Sequence, residues 1–499
     1  MMGHQQRVQK KLFYTKLNLD QRIRKDHILR KISKYIDFDF IYKKVKDKYG
    51  SKGNVSVPPP VILKMMFLLI FYNVRSEREL MITIPERLDW LWFLGYDLDD
   101  EVPDHSVLSK ARSRWGVEAF KTFFEQIVFQ CVEAGLVDGS KIFMDSSMVQ
   151  ADASNNSVVN KESLKRYLNK SYQILESRLE ENQISSDSDD APKSGTANRK
   201  YISTTDIDAS VASRGSGKSK LQYQTHRGTD ERCEVITATD VTPGEVHESH
   251  LFESIIDIHQ NNTGQKVDIA VADSKYGTIE NYLTCHDREI KPHFKSLEGT
   301  QKDTGTKKGI FPKEAFTYDA DKDIFICPAG QILKKRKYFK KRKHYEYAAP
   351  AGTCMSCQLR KKCTKSKTGR TLKRHVRQDD LDNMLKQANS FESKKDIKTR
   401  QHLMERSFAR STRYGFKRAR WRRLWRVQIQ EYLTSTIQNI MTLLRYVKEP
   451  DPVVALSVRE NRSIQRNKCH RNKYYRLYEI LSELIRSVFN FQHSLSLSF

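Results

Sequence analysis

The sequence has no apolar run long enough to cross a bilayer. Its most hydrophobic stretch, Val61–Tyr72, falls short of the roughly 20 residues a spanning helix needs and carries Lys64. No positively charged then apolar leader opens the chain, since Met1–Lys11 is polar and more charge follows. The expectation is therefore a cytoplasmic protein without a membrane partner. Cysteine is sparse, eight residues in 499, and a reducing compartment turns such thiols towards metal ligation rather than disulfides. No internal repeat is present, which excludes a solenoid or propeller. Acidic residues are also in deficit. Against 61 Asp and Glu stand 88 Lys and Arg, a formal charge of +27, and such an excess implies a polyanionic partner.

What is present divides along the chain. From about residue 20 to 135 apolar residues recur at helical spacing, in Pro60–Tyr72, Glu86–Leu94 and Val117–Ala134. Asp104 or Ser106 is placed to cap a helix ahead of Leu108. Residues 1–138 thus read as a helical N-terminal domain for DNA binding or dimerisation. From Lys141 the pattern turns to strands. Ile142–Asp145, Leu221–His226, Glu234–Thr239, Val267–Ala272 and Ile290–Phe294 are candidates, with a polar turn at Arg227–Arg232 and a helix at His250–Gln260. Three antiparallel strands followed by helix, strand, helix and strand match a ribonuclease-H-like mixed sheet better than a doubly wound one. The fold class expected is α/β. Its catalytic core begins at residues 139–299, interrupted by a flexible loop at about 155–205 whose Glu180–Gly195 is rich in Ser, Asp and Pro. A basic, cysteine-containing insertion follows at 300–395. Residues 396–447 return to the core, and Lys448–Pro452 breaks the chain before a basic tail, 448–499, with one apolar stretch at Tyr475–Val488.

Two acids stand at the ends of apolar strands: Asp145 in Phe143-Met-Asp-Ser-Ser-Met148 and Asp273 in Ile269-Ala-Val-Ala-Asp273. A carboxylate there reaches the sheet rim, where ligands bind. Two such acids brought together repel unless a cation lies between them, and Mg²⁺ or Mn²⁺ suits hard carboxylate oxygens. A pair of ions roughly 3.5–4 Å apart activates a water and stabilises a leaving 3′ oxygen. Taken singly, each acid is more simply a helix cap or turn residue. A third acid, Glu405, lies in the helical stretch Arg400–Phe408 and alone reads as a surface residue. Beyond it run Arg406, Arg410, Arg413, Lys417, Arg418, Arg420, Arg422, Arg423 and Arg426, interleaved with Tyr414, Phe416, Trp421 and Trp425. Basic residues among aromatics suit phosphate contact and base stacking. An acid kept there needs a reason, and metal binding is one.

With these residues in place the chain resembles bacterial insertion-sequence transposases of the DDE class, the group with a helical N-terminal domain and a cysteine-bearing insertion. The resemblance rests on Pro103-Asp-His-Ser106, Met144-Asp-Ser-Ser147, Thr225-His226, Val241-Thr-Pro-Gly244, Ala272-Asp-Ser-Lys-Tyr-Gly277 and Glu405-Arg-Ser-Phe408, in the family's order across residues 50 to 447. It implies that Asp145, Asp273 and Glu405 are the catalytic, metal-holding triad. It implies cleavage of transposon ends and joining of their 3′ hydroxyls to target DNA. The implied partners are terminal inverted repeats, target DNA and a second copy of the chain, at the nucleoid. Arg400, Arg406, Arg410, Arg413, Lys417, Arg418 and Arg420 become candidate DNA contacts. The chain departs from one signature of related enzymes, Y-x2-R-x3-E-x6-K, whose steps fall here on Lys398, Gln401 and Thr412. That departure, with the unpatterned tail, keeps an inactive or domesticated DNA-binding descendant as the alternative. His226 reads as a buried, hydrogen-bonded residue rather than a site member.

The insertion carries its own chemistry. Cys354-Met-Ser-Cys357, Cys363 and the turn at Cys327-Pro-Ala-Gly330 form a set of four thiols suited to a structural Zn²⁺. Free thiols are the plainer reading. Between them lies Lys334-Lys-Arg-Lys337 within a basic run to Lys343, a candidate grip on the DNA backbone.

Overall fold

Paired prolines open the most apolar helix of the chain, because a proline nitrogen has no hydrogen to leave unsatisfied in the first helical turn. The computed structural model describes residues 2–3, 18–51, 53–160, 195–212, 219–296 and 310–446. Residues 1–444 form one compact unit, and of the second, 445–499, only residues 445 and 446 are described. The Ser/Asp-rich stretch before Gly195, the tail with Tyr475–Val488 and Cys469 lie outside the described residues.

The N-terminal region is helical: α1 (Leu19–Arg22), α2 (Ile28–Tyr35), α3 (Phe40–Val45), α4 (Pro59–Phe71), α5 (Glu77–Thr83), α6 (Leu88–Leu94) and α7 (Ser106–Glu133). In α4 every residue from Pro59 to Ile70 except Lys64 is buried. Lys64 keeps its ammonium over the rings of Phe38 and Phe93. Asp104 accepts from the backbone N–H of Ser106 at 2.8 Å, but the cap position of α7 is His105, whose side chain makes no capping hydrogen bond, so neither Asp104 nor Ser106 is the cap expected. Within α7, Gly116 adopts φ +69°, a left-handed conformation that breaks the helical run.

The strands follow: β1 (Lys141–Gln150), β2 (Val158–Asn160), β3 (Tyr201–Ser203, after the short α8, Gly195–Lys200), β4 (Ser210–Ala212), β5 (Lys220–Asp230), β6 (Ile236–Pro243), β7 (Ile269–Val271) and β8 (Lys291–His293). β2 and β3 form a separate two-stranded sheet. The main sheet runs β6-β5-β1-β7-β8, with β4 also on β5. β1 is antiparallel to β5, β5 to β6, while β7 and β8 run parallel to β1. One face is covered by α9 (Phe252–Thr263) and α10 (Ile279–Asp287), whose Ile255, Ile256 and Tyr282 join Ile142, Met144 and Ala270 in a core cluster. Two expected boundaries move. β1 continues five residues past Asp145, and β5 extends through Arg227 to Asp230 because Arg227 is a buried strand residue rather than part of a turn.

Residues 310–375 build a second, five-stranded sheet in the order β13-β12-β11-β10-β9: β9 (Thr317–Asp319), β10 (Ile324–Ile326), β11 (Ile332–Phe339), β12 (His344–Ala348) and β13 (Thr371–His375). Phe316, Phe325, Leu333, Tyr347 and Leu372 give it its own small core. A single turn, α11 (Arg360–Cys363), lies in the β12–β13 connection. After it come α12 (Gln378–Ala388), α13 (Phe391–Arg413) and α14 (Leu424–Tyr446). Leu381, Met384 and Ala388 of α12 pack into the main-sheet cluster, so the chain has already returned to that core before residue 395.

α13 and α14 lie across the main sheet. Leu403 and Met404 of α13 pack on Phe143 and Val271. At its start, buried Asp396 accepts from His293 at 2.7 Å and pairs with Lys141 at 3.2 Å, tying α13 to β8 and β1. α14 is buried on nearly all sides, and its polar residues close the sheet edge. Asn439 accepts from the N–H of Ile236 at 2.9 Å and donates to its carbonyl at 2.7 Å, and Gln428 accepts from the N–H of Val241 at 2.7 Å. Those contacts occupy the outer groups of β6, which an uncovered edge would leave for another chain. No helix among the described residues is long and apolar enough to cross a membrane.

Candidate active site

The site arises where neighbouring strands differ in length. β7 pairs with β1 only at Lys141, Ile142 and Phe143, and on that side β1 has no further strand partner until Gln150 bridges to Arg418. Asp145 sits just beyond the last pair. The chain leaving β7 supplies Asp273, which accepts from the N–H of Lys275 at 2.9 Å and caps the short turn Ser274–Tyr276. The chain leaving β6 supplies a third acid, Glu248, at the start of the turn Glu248–Leu251, where the ring of His247 accepts from the N–H of Ser249. Ligand oxygens of Asp145, Glu248 and Asp273 all lie within 4.8 Å of one another, the only such group of three His, Cys, Asp or Glu side chains among the described residues.

Glu405, expected as the third acid, is not in this cluster. It is exposed on α13 and accepts from Gln401 at 3.2 Å. The reason is helical geometry. Asp396, Arg400, Leu403, Ser407 and Ser411 form the buried face of α13, and at about 100° per residue Glu405 points some 140° away from Arg400. The acid overlooked by sequence reasoning, Glu248, lies four residues after Val241-Thr-Pro-Gly244 in Val246-His-Glu-Ser-His250. The available signal is an acid just past the third strand.

Two cations enter the cluster from different elements. Arg400 donates to Oδ2 of Asp145 at 2.6 Å, and Lys275 donates to Oε1 of Glu248. Glu248 is only 4% exposed, and its Oε2 has no hydrogen-bond partner among the described residues. Burial pushes Asp145 above the ordinary aspartate range in spite of Arg400. Burial also raises Asp273, reinforced by the negative charges of Glu248 and Asp145. Burial opposes ionisation of Glu248, but hydrogen bonds from Lys275 and Ser146 pull it below the ordinary glutamate range. An unpartnered buried carboxylate oxygen among three hard oxygen donors fits a divalent cation of the Mg²⁺ or Mn²⁺ type. His226 lies close by, fully buried and hydrogen-bonded to Thr242 at 2.9 Å, with burial lowering its pKa to about 4.

The basic stretch after Glu405 is largely engaged in internal contacts. Arg406 and Arg410 pair with Glu234, and Arg418 with Asp152. Arg420 donates to the carbonyl of Val74 and the side chain of Asn73, and Trp421 donates to Glu77 at 3.0 Å. Arg112 of α7 pairs with the same Glu77 and lies 4.0 Å over the Trp421 ring. This segment thus joins the helical region to the main sheet. Arg413 and Lys417 are exposed, as are Lys334, Lys335, Arg336 and Lys337 on β11, where Lys335 pairs with Asp323 at 2.9 Å. Cys327, Cys354, Cys357 and Cys363 line one apolar cavity beside Phe311, Phe316 and Leu333. Burial raises the Cys363 thiol, and the charges of the other three thiols would raise it further.

A mixed sheet bearing three converging carboxylates suits a metal-dependent phosphoryl-transfer enzyme. Residues 17–114 match the family described as Transposase domain (DUF772), and residues 326–444 match the Transposase DDE domain. Together the two matches support a DDE-class insertion-sequence transposase, a class of enzyme that acts on DNA. No curated protein matches it. Asp145, Glu248 and Asp273 fall between the two matched segments, so their convergence is a separate observation from the family match.

Proposed function

We propose that the chain cuts the ends of its element by metal-dependent phosphodiester hydrolysis and joins the freed 3′ ends to target DNA by transesterification, at Asp145, Glu248 and Asp273. The observation that carries this reading is the approach of these three carboxylates to within 4.8 Å, with a buried oxygen of Glu248 unpartnered. The strand order β6-β5-β1-β7-β8, with the first three strands antiparallel and the last two parallel to β1, supports a ribonuclease-H-like core. Mg²⁺ or Mn²⁺ bound there supplies activation of a water or 3′ hydroxyl and stabilises the leaving oxygen. Asp145, Glu248 and Asp273 would hold it. Arg400 would face the phosphate, a planar fork matched to two phosphate oxygens. Glu405 is assigned no part in metal binding.

The exposed Lys334, Arg336 and Lys337 of β11, with Arg413 and Lys417, suit contacts to the DNA backbone that give affinity rather than sequence choice. The surface pairs of Arg406, Arg410 and Arg418 are weak enough in water to exchange for phosphate. Two element ends must be held together, which favours a homodimer on DNA. Four soft thiol donors around one cavity fit a structural Zn²⁺ that would draw their sulfurs closer.

The test is cleavage and strand transfer by the purified chain, with Mg²⁺, on the DNA flanking its coding sequence. Strand breaks with joined product support the proposal. Binding without breaks returns the chain to the inactive alternative, and breaks without joining make it a nuclease.

A further inference from the structure

Each of two clustered carboxylates already has a cation on it. Arg400 reaches Asp145 from α13, and Lys275 reaches Glu248 from the turn after β7. The two cations differ in freedom. Lys275 is 45% exposed on a flexible stem and can withdraw into solvent. Arg400 is 11% exposed, and its Nε is buried without a hydrogen-bond partner among the described residues. Its guanidinium therefore has donors that Asp145 does not use. The backbone beneath it is fixed, because Asp396, one helical turn earlier, is held by His293 and Lys141.

We propose that Arg400 is an exchangeable counter-ion: it holds Asp145 when no DNA is present and passes to a DNA phosphate when the substrate arrives, freeing Asp145 for the metal. The inference rests on the reading of Asp145, Glu248 and Asp273 as the metal site. A divalent ion at these three acids would compete with the guanidinium for the Asp145 carboxylate. A phosphate oxygen is the other partner that matches the guanidinium fork. DNA thereby raises metal affinity, and linkage requires metal to raise DNA affinity by the same factor. Metal loading is thus favoured in chains that already hold DNA, by that factor. Lys275 makes the matching exchange at Glu248, with less effect because water already solvates it.

The experiment is calorimetric titration with Ca²⁺, which binds oxygen donors, using the full chain alone and then with a short duplex from the DNA flanking its coding sequence. The duplex should tighten Ca²⁺ binding by about tenfold or more in the unaltered chain. Arg400→Gln should bind Ca²⁺ tightly without DNA, so that the DNA-dependent gain shrinks to about threefold or less. Arg400→Lys, which keeps the charge, should fall between, and Lys275→Met covers the case in which the Arg400 variants fail to fold by giving a smaller gain of the same sign. Ca²⁺ binding of equal affinity in all chains, with no response to DNA, overturns the counter-ion role and leaves the metal site standing. No Ca²⁺ binding in any chain, with or without DNA, overturns the metal site itself and the inference with it.

Discussion

Arg227 and Glu431 form a fully buried, two-pronged ion pair, Nε to Oε1 at 2.6 Å and Nη2 to Oε2 at 2.9 Å, that fastens α14 to the centre of the main sheet. Thr239 and Ser435 also donate to Glu431, and Arg227 lies over the ring of Phe408 on α13. The pair joins β5, β6, α13 and α14 at one point. Removing one partner leaves the other charged and dry, at a cost of about 3–5 kcal/mol. Arg227→Met or Glu431→Gln should lower unfolding free energy by that amount in urea melts. The double variant Arg227→Met, Glu431→Leu should recover much of it, since paired apolar residues carry no desolvation cost. Equal loss in single and double variants would contradict this account.

Asp145→Asn, Glu248→Gln and Asp273→Asn should each reduce Mg²⁺-dependent cleavage on the order of 100-fold or more, with DNA binding retained. Glu405→Gln should stay close to the unaltered rate. Full activity in Glu248→Gln with loss in Glu405→Gln would reverse the assignment of the third acid.

Asp273 has a pKa raised in the folded state by burial, with Glu248 and Asp145 adding to the effect. Between the unfolded and folded values the native chain holds more protons than the unfolded one. Stability from this group therefore falls as pH rises through that window, and at neutral pH the ionised Asp273 destabilises the metal-free fold. Asp273→Asn should raise Tm by a few degrees without metal, keeping the cap on the turn that follows. It should also abolish the rise in Tm that Mn²⁺ gives the unaltered chain. Scanning calorimetry with and without Mn²⁺ reads both.

His226 shifts the other way. Burial holds it neutral, with a pKa lowered to about 4 from 6.5. The unfolded chain takes up the proton first, so the contribution is complete above pH 6.5 and is lost as pH falls towards 4. His226→Gln should flatten the dependence of Tm on pH across that interval. An unchanged slope would exclude His226 as a source of acid sensitivity.

The zinc reading predicts one ion per chain by elemental analysis after purification without added metal. Cys354→Ser with Cys357→Ser should release it and make residues 310–375 more sensitive to protease. A metal-free protein with the same protease resistance would leave the four cysteines as free thiols.

The sequence by itself determined the local elements and the chemical classes. Helical periodicity located α4 and α7, and strand patterning found β1, β5, β6, β7 and β8 to within a few residues, because burial on one face repeats along a short segment. Asp145 and Asp273 were legible because an acid beside a buried strand is conspicuous in sequence, although Asp145 lies within β1 and becomes rim-like only where β7 ends. Only the tertiary structure decided the rest. The facing of Glu405 depends on which stripe of α13 meets Phe143 and Val271, and that stripe is chosen by the sheet beneath it. Glu248 and Asp273 meet because the turns Glu248–Leu251 and Ser274–Tyr276, which follow β6 and β7, pack together, although 25 residues separate the two acids. The basic run after Arg406 is mostly spent on Glu234, Asp152, Asn73 and Glu77, since those acids and carbonyls are its neighbours only in the folded chain. Charge and periodicity are properties of a segment; convergence is a property of packing.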